Sequence, residues 1–331
     1  QLETSKLFAR EVLKKCNIQQ PNFYSCKTKK DVLRIKDEIG LPFVIKVDGL
    51  AAGKGVYVCI KEDDFSNAIE NIFLKNMFGK SSDTILIEEC LFGEELSVFA
   101  ICDGTDFQIL NTAQDHKRIY DKDKGPNTGG MGAYSPTPLS TKKLIDKVKN
   151  NIYAPVLDFM NKNGHPFLGF LYVGLMLVNN EPYVIEFNVR MGDPETQVVL
   201  PLLKTSLFEL LFNTANKNLN NVKIEVSSKT ALTVVLASDG YPDKCNKGQK
   251  IIINNKSLLF HAGTKKIDRD LFVNGGRVIN VVGIGKNLKE AKQNAYKDVN
   301  NIEFDGKYYR KDIGVKGLKY LVANNLEEAN D

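Results

Sequence analysis

The sequence predicts a mixed α/β chain of about two domains, on three observations. Its 331 residues exceed the roughly 150 that a single domain takes. Apolar segments switch between strand-like runs and helix-like spacing from one end to the other. Hydrophobic residues make up 43% and charged residues 26%, inside the range of folded globular proteins. A chain of this size buries most of its surface and needs neither disulfides nor a structural metal to fold.

The elements follow in order. Ser5 is placed to cap a helix ending at Cys16, with Leu7, Phe8, Val12 and Cys16 on its apolar side. Lys14 and Lys15 fall in its last turn, where the helix dipole favours cations, and Pro21 stops it. Residues 43–47, FVIKV, and 56–60, VYVCI, form strands joined by the loop DGLAAGKG at 48–55. A helix is expected at about 64–73 and a strand at 84–88. Residues 115–138, DHKRIYDKDKGPNTGGMGAYSPTP, form one long polar loop, and loops of that length are usually functional or disordered. Residues 141–160 are helical in pattern, and 170–178 and 182–190 are two strands joined by a turn at Asn179-Asn180. Ser206 and Glu209 make a capping box ahead of a short apolar helix. The polar run 213–228 marks a domain boundary. Strands are expected at 232–237, 251–253 and 277–282. A helix then opens at Asn287, with Glu290 three residues on and Leu288, Ala291, Ala295, Val299 and Ile302 at helical spacing.

Several function classes fall away. The six cysteines include no C-x-x-C, and the three histidines lie far apart with no H-E-x-x-H, so transition-metal chemistry is not expected. No apolar run reaches the roughly 18 residues that span a bilayer, and QLETSKLFAR lacks the pattern of a signal peptide. The expectation is a soluble cytoplasmic protein with no membrane partner. Net charge is +5 with mixed signs, which suits phosphorylated anions without forming a nucleic-acid stripe. Most lysines are a solvated surface.

Three places can carry chemistry. The loop DGLAAGKG resembles a phosphate loop but fails the Walker spacing: three residues, not four, separate Gly49 from Gly53, and Gly55 stands where a hydroxyl residue is required. It also joins strand to strand, so it is either a glycine-rich flap that folds over phosphates with Lys54 adding charge, or an ordinary hairpin. Lys46, between Ile45 and Val47, points into an apolar face and requires an anion there. In YVIEFNVR, strand period places Glu186, Asn188 and Arg190 on one face and Ile185, Phe187 and Val189 on the other. A carboxylate and an amide oxygen two residues apart suit a hard divalent cation, and the guanidinium suits a phosphate or carboxylate. The alternative is a solvated face with one ion pair. The polar loop MGDPETQ follows directly at the strand end. Glu88-Glu89 and Glu94-Glu95 can accept from ribose hydroxyls or an adenine amine. Asp115, His116, Lys117 and Arg118 gather four polar groups before a glycine-rich run, which suits anion binding.

The blocks LPFVIKVDGLAAGKGV, IEECLFGEELSV, AQDHKRIYDKDKGPNTGGMGAYSP, EFNVRMGDPETQVVLP and HAGT…NGGRV resemble the phosphoribosylamine–glycine ligase (glycinamide ribonucleotide synthetase) family, from about Ser5 to Gly314. The resemblance implies an ATP-grasp fold, with a lid subdomain, a larger α/β domain and a small C-terminal α/β accessory domain. The expected boundaries are a core at 1–20 and 90–226, a lid with its flap at 21–89, and an accessory domain at 227–331. It implies joining of glycine to 5-phosphoribosylamine at the expense of ATP, with Mg²⁺ or Mn²⁺, in purine biosynthesis. By position, Lys6 and Lys46 match lysines on the ATP phosphates, and Gly53, Lys54 and Gly55 match the flap. Glu88, Glu89 and Leu91 match the adenine hinge, Glu95 the ribose contact, and Glu186 and Asn188 the metal pair. Asp115, His116, Lys117, Gly129, Gly130, Met131, Gly132, Arg190 and Asp193 match the substrate side, with Arg190, Asp193 and Lys54 as catalytic candidates. Family members begin with a further Rossmann-like domain, which this sequence lacks and which is expected to pack on the core in the full chain. Alternatives are another ATP-grasp carboxylate–amine ligase, or an ATP-binding fragment inactive without that domain.

Overall fold

The computed structural model describes residues 1–51, 55–254 and 257–328. The chain opens with α1 (Lys6–Lys15), β1 (Phe23–Cys26), α2 (Lys29–Ile39), β2 (Phe43–Val47), β3 (Val56–Cys59), α3 (Glu62–Ile69) and β4 (Ile85–Glu89). Then come β5 (Glu94–Asp103), β6 (Phe107–Ile109), β7 (Gln114–Asp115), β8 (Arg118–Tyr120), β9 (Lys124–Asn127) and β10 (Gly132–Ser135). Helices α4 (Lys142–Val148) and α5 (Ala154–Lys162) lead to the hairpin β11 (Leu168–Val178) and β12 (Glu181–Asn188), followed by α6 (Thr196–Val199) and α7 (Leu207–Ala215). The remainder is β13 (Thr230–Ala237), β14 (Lys250–Ile253), β15 (Leu258–His261), β16 (Thr264–Ile267), β17 (Asp270–Val273), β18 (Arg277–Gly285), α8 (Leu288–Val299), β19 (Ile302–Glu303) and α9 (Val315–Glu328).

Two compact units divide these elements. The first takes Gln1–Glu95, Ile101–Phe107 and Lys142–Arg190; the second takes Leu96–Ala100, Gln108–Thr141 and Met191–Asp331. In the first unit a sheet of order β1-β4-β2-β3 is covered by α2 and α3. Phe43, Ile45, Val47, Ile85 and Ile87 form its buried face, as the alternation of apolar residues in these short strands requires. In the second unit the sheet β15-β18-β13-β10-β7 carries α8, whose Leu288, Ala291, Ala295 and Val299 pack on Val234, Leu236, Val278, Ile279 and Val281. Asn287 caps α8 by accepting from the Glu290 N–H at 3.0 Å, and Ser206 caps α7 in the same way.

Three expectations are corrected. Residues 115–138 are not one loop. They hold the β8–β9 hairpin and β10, which lies between β13 and β7 in the sheet. The sequence Gly-Ala-Tyr-Ser looks nothing like a strand, yet its glycine is required. A Cβ on Gly132 would lie 2.6 Å from the Thr233 carbonyl oxygen. The buried face of α1 is Ala9, Arg10, Val12 and Leu13, while Leu7, Phe8 and Cys16 are only partly covered. The strict alternation expected over 182–190 also fails. Glu186 pairs with Gly174 but Val184 pairs with Leu175, so Ile185 is an extra residue, a bulge, and the strand ends at Asn188. Val184 and Phe187 are therefore both buried while Ile185 is half-exposed, and Arg190 lies past the strand.

Where β18 passes under α8, Gly283 has no room for a side chain, because a Cβ would overlap the Ala295 nitrogen and the Ala291 carbonyl oxygen. Gly283→Ala is expected to lower the unfolding free energy by about 1–3 kcal/mol, read as a lower urea midpoint. An unchanged midpoint would mean that the helix moves off the strand freely.

Candidate active site

The first unit is organised around a buried carboxylate. Glu88, at 2% exposure, is gripped by Arg10 from α1, with Nε–Oε1 at 2.7 Å and Nη2–Oε2 at 2.8 Å. Lys46 from β2 reaches Glu88 Oε2 at 2.8 Å. The bulge in β12 turns backbone carbonyls toward the same cations. Arg10 donates to the oxygens of Val184 (2.7 Å) and Ile185 (2.8 Å), and Lys46 donates to Ile185 at 3.0 Å. Burial disfavours charge on Glu88, but Lys46 and Arg10 overcome it and hold its pKa down to about 2. Burial also lowers the Lys46 pKa, with Glu88 opposing that shift. Two cations share one anion here, so the group keeps a net positive charge, and Lys46 has a third N–H beyond its two contacts.

Around this core lie the other residues predicted to meet a nucleotide. Lys6 donates to the Gly49 carbonyl at 3.1 Å, and its pKa is lowered by burial and by the charge of Lys46. Asp48 accepts from the Leu7 N–H at 2.7 Å and from Ser5 Oγ, a carboxylate on the α1 N-terminus. Gly55 returns to β2, its carbonyl accepting from the Val47 N–H at 2.9 Å, while Gly53 and Lys54 lie outside the described residues. Glu89 is exposed and accepts from Asn22 Nδ2 at 3.0 Å. Leu91, Glu94 and Glu95 are partly covered; between them Gly93 runs so close to β11 that a Cβ would overlap the Leu177 carbonyl. The Glu88 carboxylate is taken by Arg10 and Lys46, so its oxygens do not stand open to a ligand.

Glu186 and Asn188 follow the bulge on β12, both half-exposed. Arg190 reaches back to Asn188 Oδ1 at 3.3 Å and is held by Glu3, with Nε–Oε1 at 3.1 Å. A carboxylate beside an amide oxygen is a hard-oxygen donor pair that fits a Mg²⁺-like ion completing its shell with ligand oxygens. Among the described residues no group of three or more His, Cys, Asp or Glu forms an all-protein cage.

The second unit holds the residues predicted for the substrate side except Arg190, which belongs to the first. Asp115 pairs with Ala133, the His116 N–H donates to the Gly132 carbonyl and the Met131 N–H donates to the His116 carbonyl. Segments 115–117 and 129–132 therefore lie side by side. His116 is buried with both ring nitrogens unpartnered, and burial together with the Arg310 charge pushes its pKa to about 3, so it is neutral at pH 7. Met131 is fully buried, and its backbone is paired as well, the N–H with the His116 carbonyl and the carbonyl with the Val235 N–H at 3.0 Å. The Lys117 carbonyl accepts from Thr128 N–H and Oγ1, both at 2.8 Å. Asp193 accepts from Gln197 Nε2 on one oxygen and from Arg277 Nη2 on the other, each at 2.9 Å. The β8–β9 hairpin is secured by fully buried Arg310, which joins Asp312 and Asp123 at 2.8 Å each and the Arg118 carbonyl at 3.0 Å.

Two arginines escaped the sequence reading. Arg10 gave a usable signal, a charge amid Ala9, Val12 and Leu13 on the inner side of a helix. Arg277 gave only its place in the block NGGRV.

The comparisons with known proteins agree with this architecture. The fold is that of ATP-grasp proteins: the biotin carboxylase domain of the Hydrogenobacter thermophilus 2-oxoglutarate carboxylase, solved with MgADP, superposes with a TM-score of 0.70 at 13% identity, over 93% of this chain and 68% of that one. Residues 4–196 match the phosphoribosylglycinamide synthetase ATP-grasp (A) domain and residues 231–316 match the C domain of the same family. The chain belongs to the phosphoribosylglycinamide synthetase family. It is 42% identical over 323 residues to the phosphoribosylamine–glycine ligase of Leptospira interrogans, covering 96% of this chain and 76% of that protein. With the trifunctional purine biosynthetic protein adenosine-3 of Gallus gallus it shares 42% identity, over 97% of this chain and 33% of that one. The crystal structure of the Thermotoga maritima phosphoribosylamine–glycine ligase superposes with a TM-score of 0.83 at 36% identity, over 94% of this chain and 79% of that one.

Because the Glu88 pKa lies near 2 in the folded state against an ordinary 4.5, its ionisation stabilises the fold above about pH 4.5 and this contribution is lost as pH falls toward 2. Glu88→Gln is expected to cost about 3–5 kcal/mol at pH 7 and to flatten the acid limb of the stability profile. A limb as steep as the parent's would refute the assignment.

Proposed function

We propose that this chain joins glycine to 5-phosphoribosylamine, converting ATP to ADP and phosphate, through a glycyl phosphate intermediate. The observation that carries the reading is 42% identity, over 96% of the chain, to a protein named phosphoribosylamine–glycine ligase. The geometry of the first unit supports it physically.

The obstacle to the reaction is charge. A glycine carboxylate must approach a triphosphate bearing about four negative charges, and two unit charges 4 Å apart repel by roughly 4 kcal/mol at an effective dielectric of 20. Lys46, sharing Glu88 with Arg10, brings surplus positive charge on a rigid strand, and Lys6 and Lys54 add to it. By the family resemblance, Gly53, Lys54 and Gly55 are assigned to contact with the phosphates. The backbone at Glu88, Glu89 and Leu91 receives the adenine, and Glu95 accepts from the ribose. Glu186 and Asn188 would hold the divalent ion, magnesium or manganese, whose chemistry when bound is to neutralise phosphate oxygens as a Lewis acid. Arg190 orients the attacking carboxylate. No side-chain nucleophile is needed: the carboxylate oxygen attacks the γ-phosphorus, ADP leaves, and the amine of phosphoribosylamine displaces phosphate from the acyl carbon. Positioning and electrostatics supply the rate, and exclusion of water protects the acyl phosphate.

Asp115, His116, Lys117, Gly129, Gly130, Met131, Gly132 and Asp193 shape the amine-substrate side. In domain terms the reading places a core at 1–20 and 90–226, a lid at 21–89 and an accessory domain at 227–331, with the N-terminal domain of relatives packing on the core. A cytoplasmic setting accompanies it: all six cysteines are free. Among the described residues no helix is long and apolar enough to cross a membrane.

The test is ADP release that requires both glycine and phosphoribosylamine, with glycinamide ribonucleotide as product. Release with a different amino acid points to another carboxylate–amine ligase. ATP and magnesium that raise the melting temperature without yielding product would overturn turnover by this chain. Glu186→Ala is expected to cost about 10²–10³-fold in turnover, as for loss of one electrostatic stabiliser. Near-normal ADP release by that variant would remove Glu186 from the metal site.

A further inference from the structure

We propose that Arg277 is a positioning residue for the amine-substrate side, locking the Gly129–Gly130 segment and the Asp193 loop into one rigid body. The identity of the substrate rests on the functional reading above. Arg277 is the first residue of β18, paired to Ala237 of β13 beyond a register shift, so its backbone is fixed at the end of an inner strand of the sheet. Its side chain, 20% exposed, donates from Nη1 to the Gly129 carbonyl at 2.7 Å and to the Asp193 carbonyl at 2.8 Å. From Nη2 it donates to Asp193 Oδ2 at 2.9 Å. Three acceptors from two loops thus meet one planar fork, a geometry that a lysine's single nitrogen cannot reproduce.

The glycines fit the same account. The N–H groups of Gly129, Gly130 and Met131 are already taken, by Tyr241 Oη, Thr128 Oγ1 and the His116 carbonyl, so they do not stand open as a phosphate cradle. Gly129 is instead a glycine because of the arginine. A Cβ there would lie 2.8 Å from Arg277 Cζ, and its φ is not in the left-handed region. Gly130, at φ +114°, would overlap Pro194 Cδ. Because segment 129–132 pairs with 115–117, a displaced Gly129 would carry His116 and Lys117 with it, and displacements of 1 Å at a reacting centre cost about 10²-fold.

Steady-state kinetics test this. Arg277→Ala is expected to raise KM for phosphoribosylamine about tenfold or more while leaving KM for ATP within about twofold, and Arg277→Lys to recover only part of the loss. Gly129→Ala alone is expected to be impaired, and its penalty to shrink sharply in the Arg277→Ala or Arg277→Gln background, where the two nearest clashing atoms, Cζ and Nη2, are gone. A KM for phosphoribosylamine within about twofold of the parent, or a Gly129→Ala penalty unchanged in both backgrounds, would overturn the proposal. If Arg277→Ala does not fold, the Gly129→Ala/Arg277→Gln pair decides. If the parent chain makes no product, the functional reading fails. The clamp is then judged by amide exchange at 129–131: faster exchange in the folded Arg277 variant supports it, and an unchanged rate overturns it.

Discussion

Glu88 is the point on which the first unit turns. A carboxylate almost without solvent contact exists only because Arg10 and Lys46 reach it from two other elements, and those cations in turn are held by carbonyls that the β12 bulge points inward. The arrangement ties α1, β2, β4 and β12 into one polar core within an otherwise aliphatic interior. Buried ion pairs of this sort often stabilise no more than a well-packed apolar replacement. What the group gives that leucines cannot is a fixed lysine with positive charge to spare. The bulge has a place in this logic. An ordinary strand would send the Ile185 carbonyl into the ladder, whereas the extra residue releases it for Arg10 and Lys46 and resets the phase of Glu186 and Asn188.

The second unit solves a different problem with different means. Its substrate-side segments carry little free charge: Met131 is buried, His116 is neutral, and Asp193 has a partner on each oxygen. Order there comes from shape. Glycines admit Arg277 and Pro194 at distances that any side chain would forbid, and Arg310, with its two aspartates, fastens the adjoining hairpin from the other end of the sequence. One unit therefore concentrates charge, and the other concentrates rigidity.

Much of this is legible in the sequence. Caps at Ser5, Ser206 and Asn287, the strands around DGLAAGKG and the Asn179-Asn180 turn follow from local chemistry, and all appear where the residues place them. What local chemistry cannot express is a requirement imposed from far along the chain. β10 is a strand because β13 and β7 flank it, not because Gly-Ala-Tyr-Ser favours extension. The Ile185 bulge leaves no mark in an alternating run, since one inserted residue merely shifts the phase. Arg10 and Arg277 were missed because their partners lie 78 and 84 residues away. For the site, the lysine in β2 stands out as a charge within an apolar run, and the Glu-x-Asn pair as two oxygen donors on one face of a strand.

The position of β10 has a consequence for how such chains are inherited and subdivided. The stretch 231–316 is recognisable as a module by sequence, yet its central sheet is completed by residues 132–135, which precede it by about a hundred positions. A gene segment encoding only that stretch would yield β13 with one side bare, a long apolar edge that invites pairing with another chain. Recombination that respects sequence modules would thus produce an aggregation-prone half. Evolution can append partners to either end of this polypeptide far more readily than it can divide the interior.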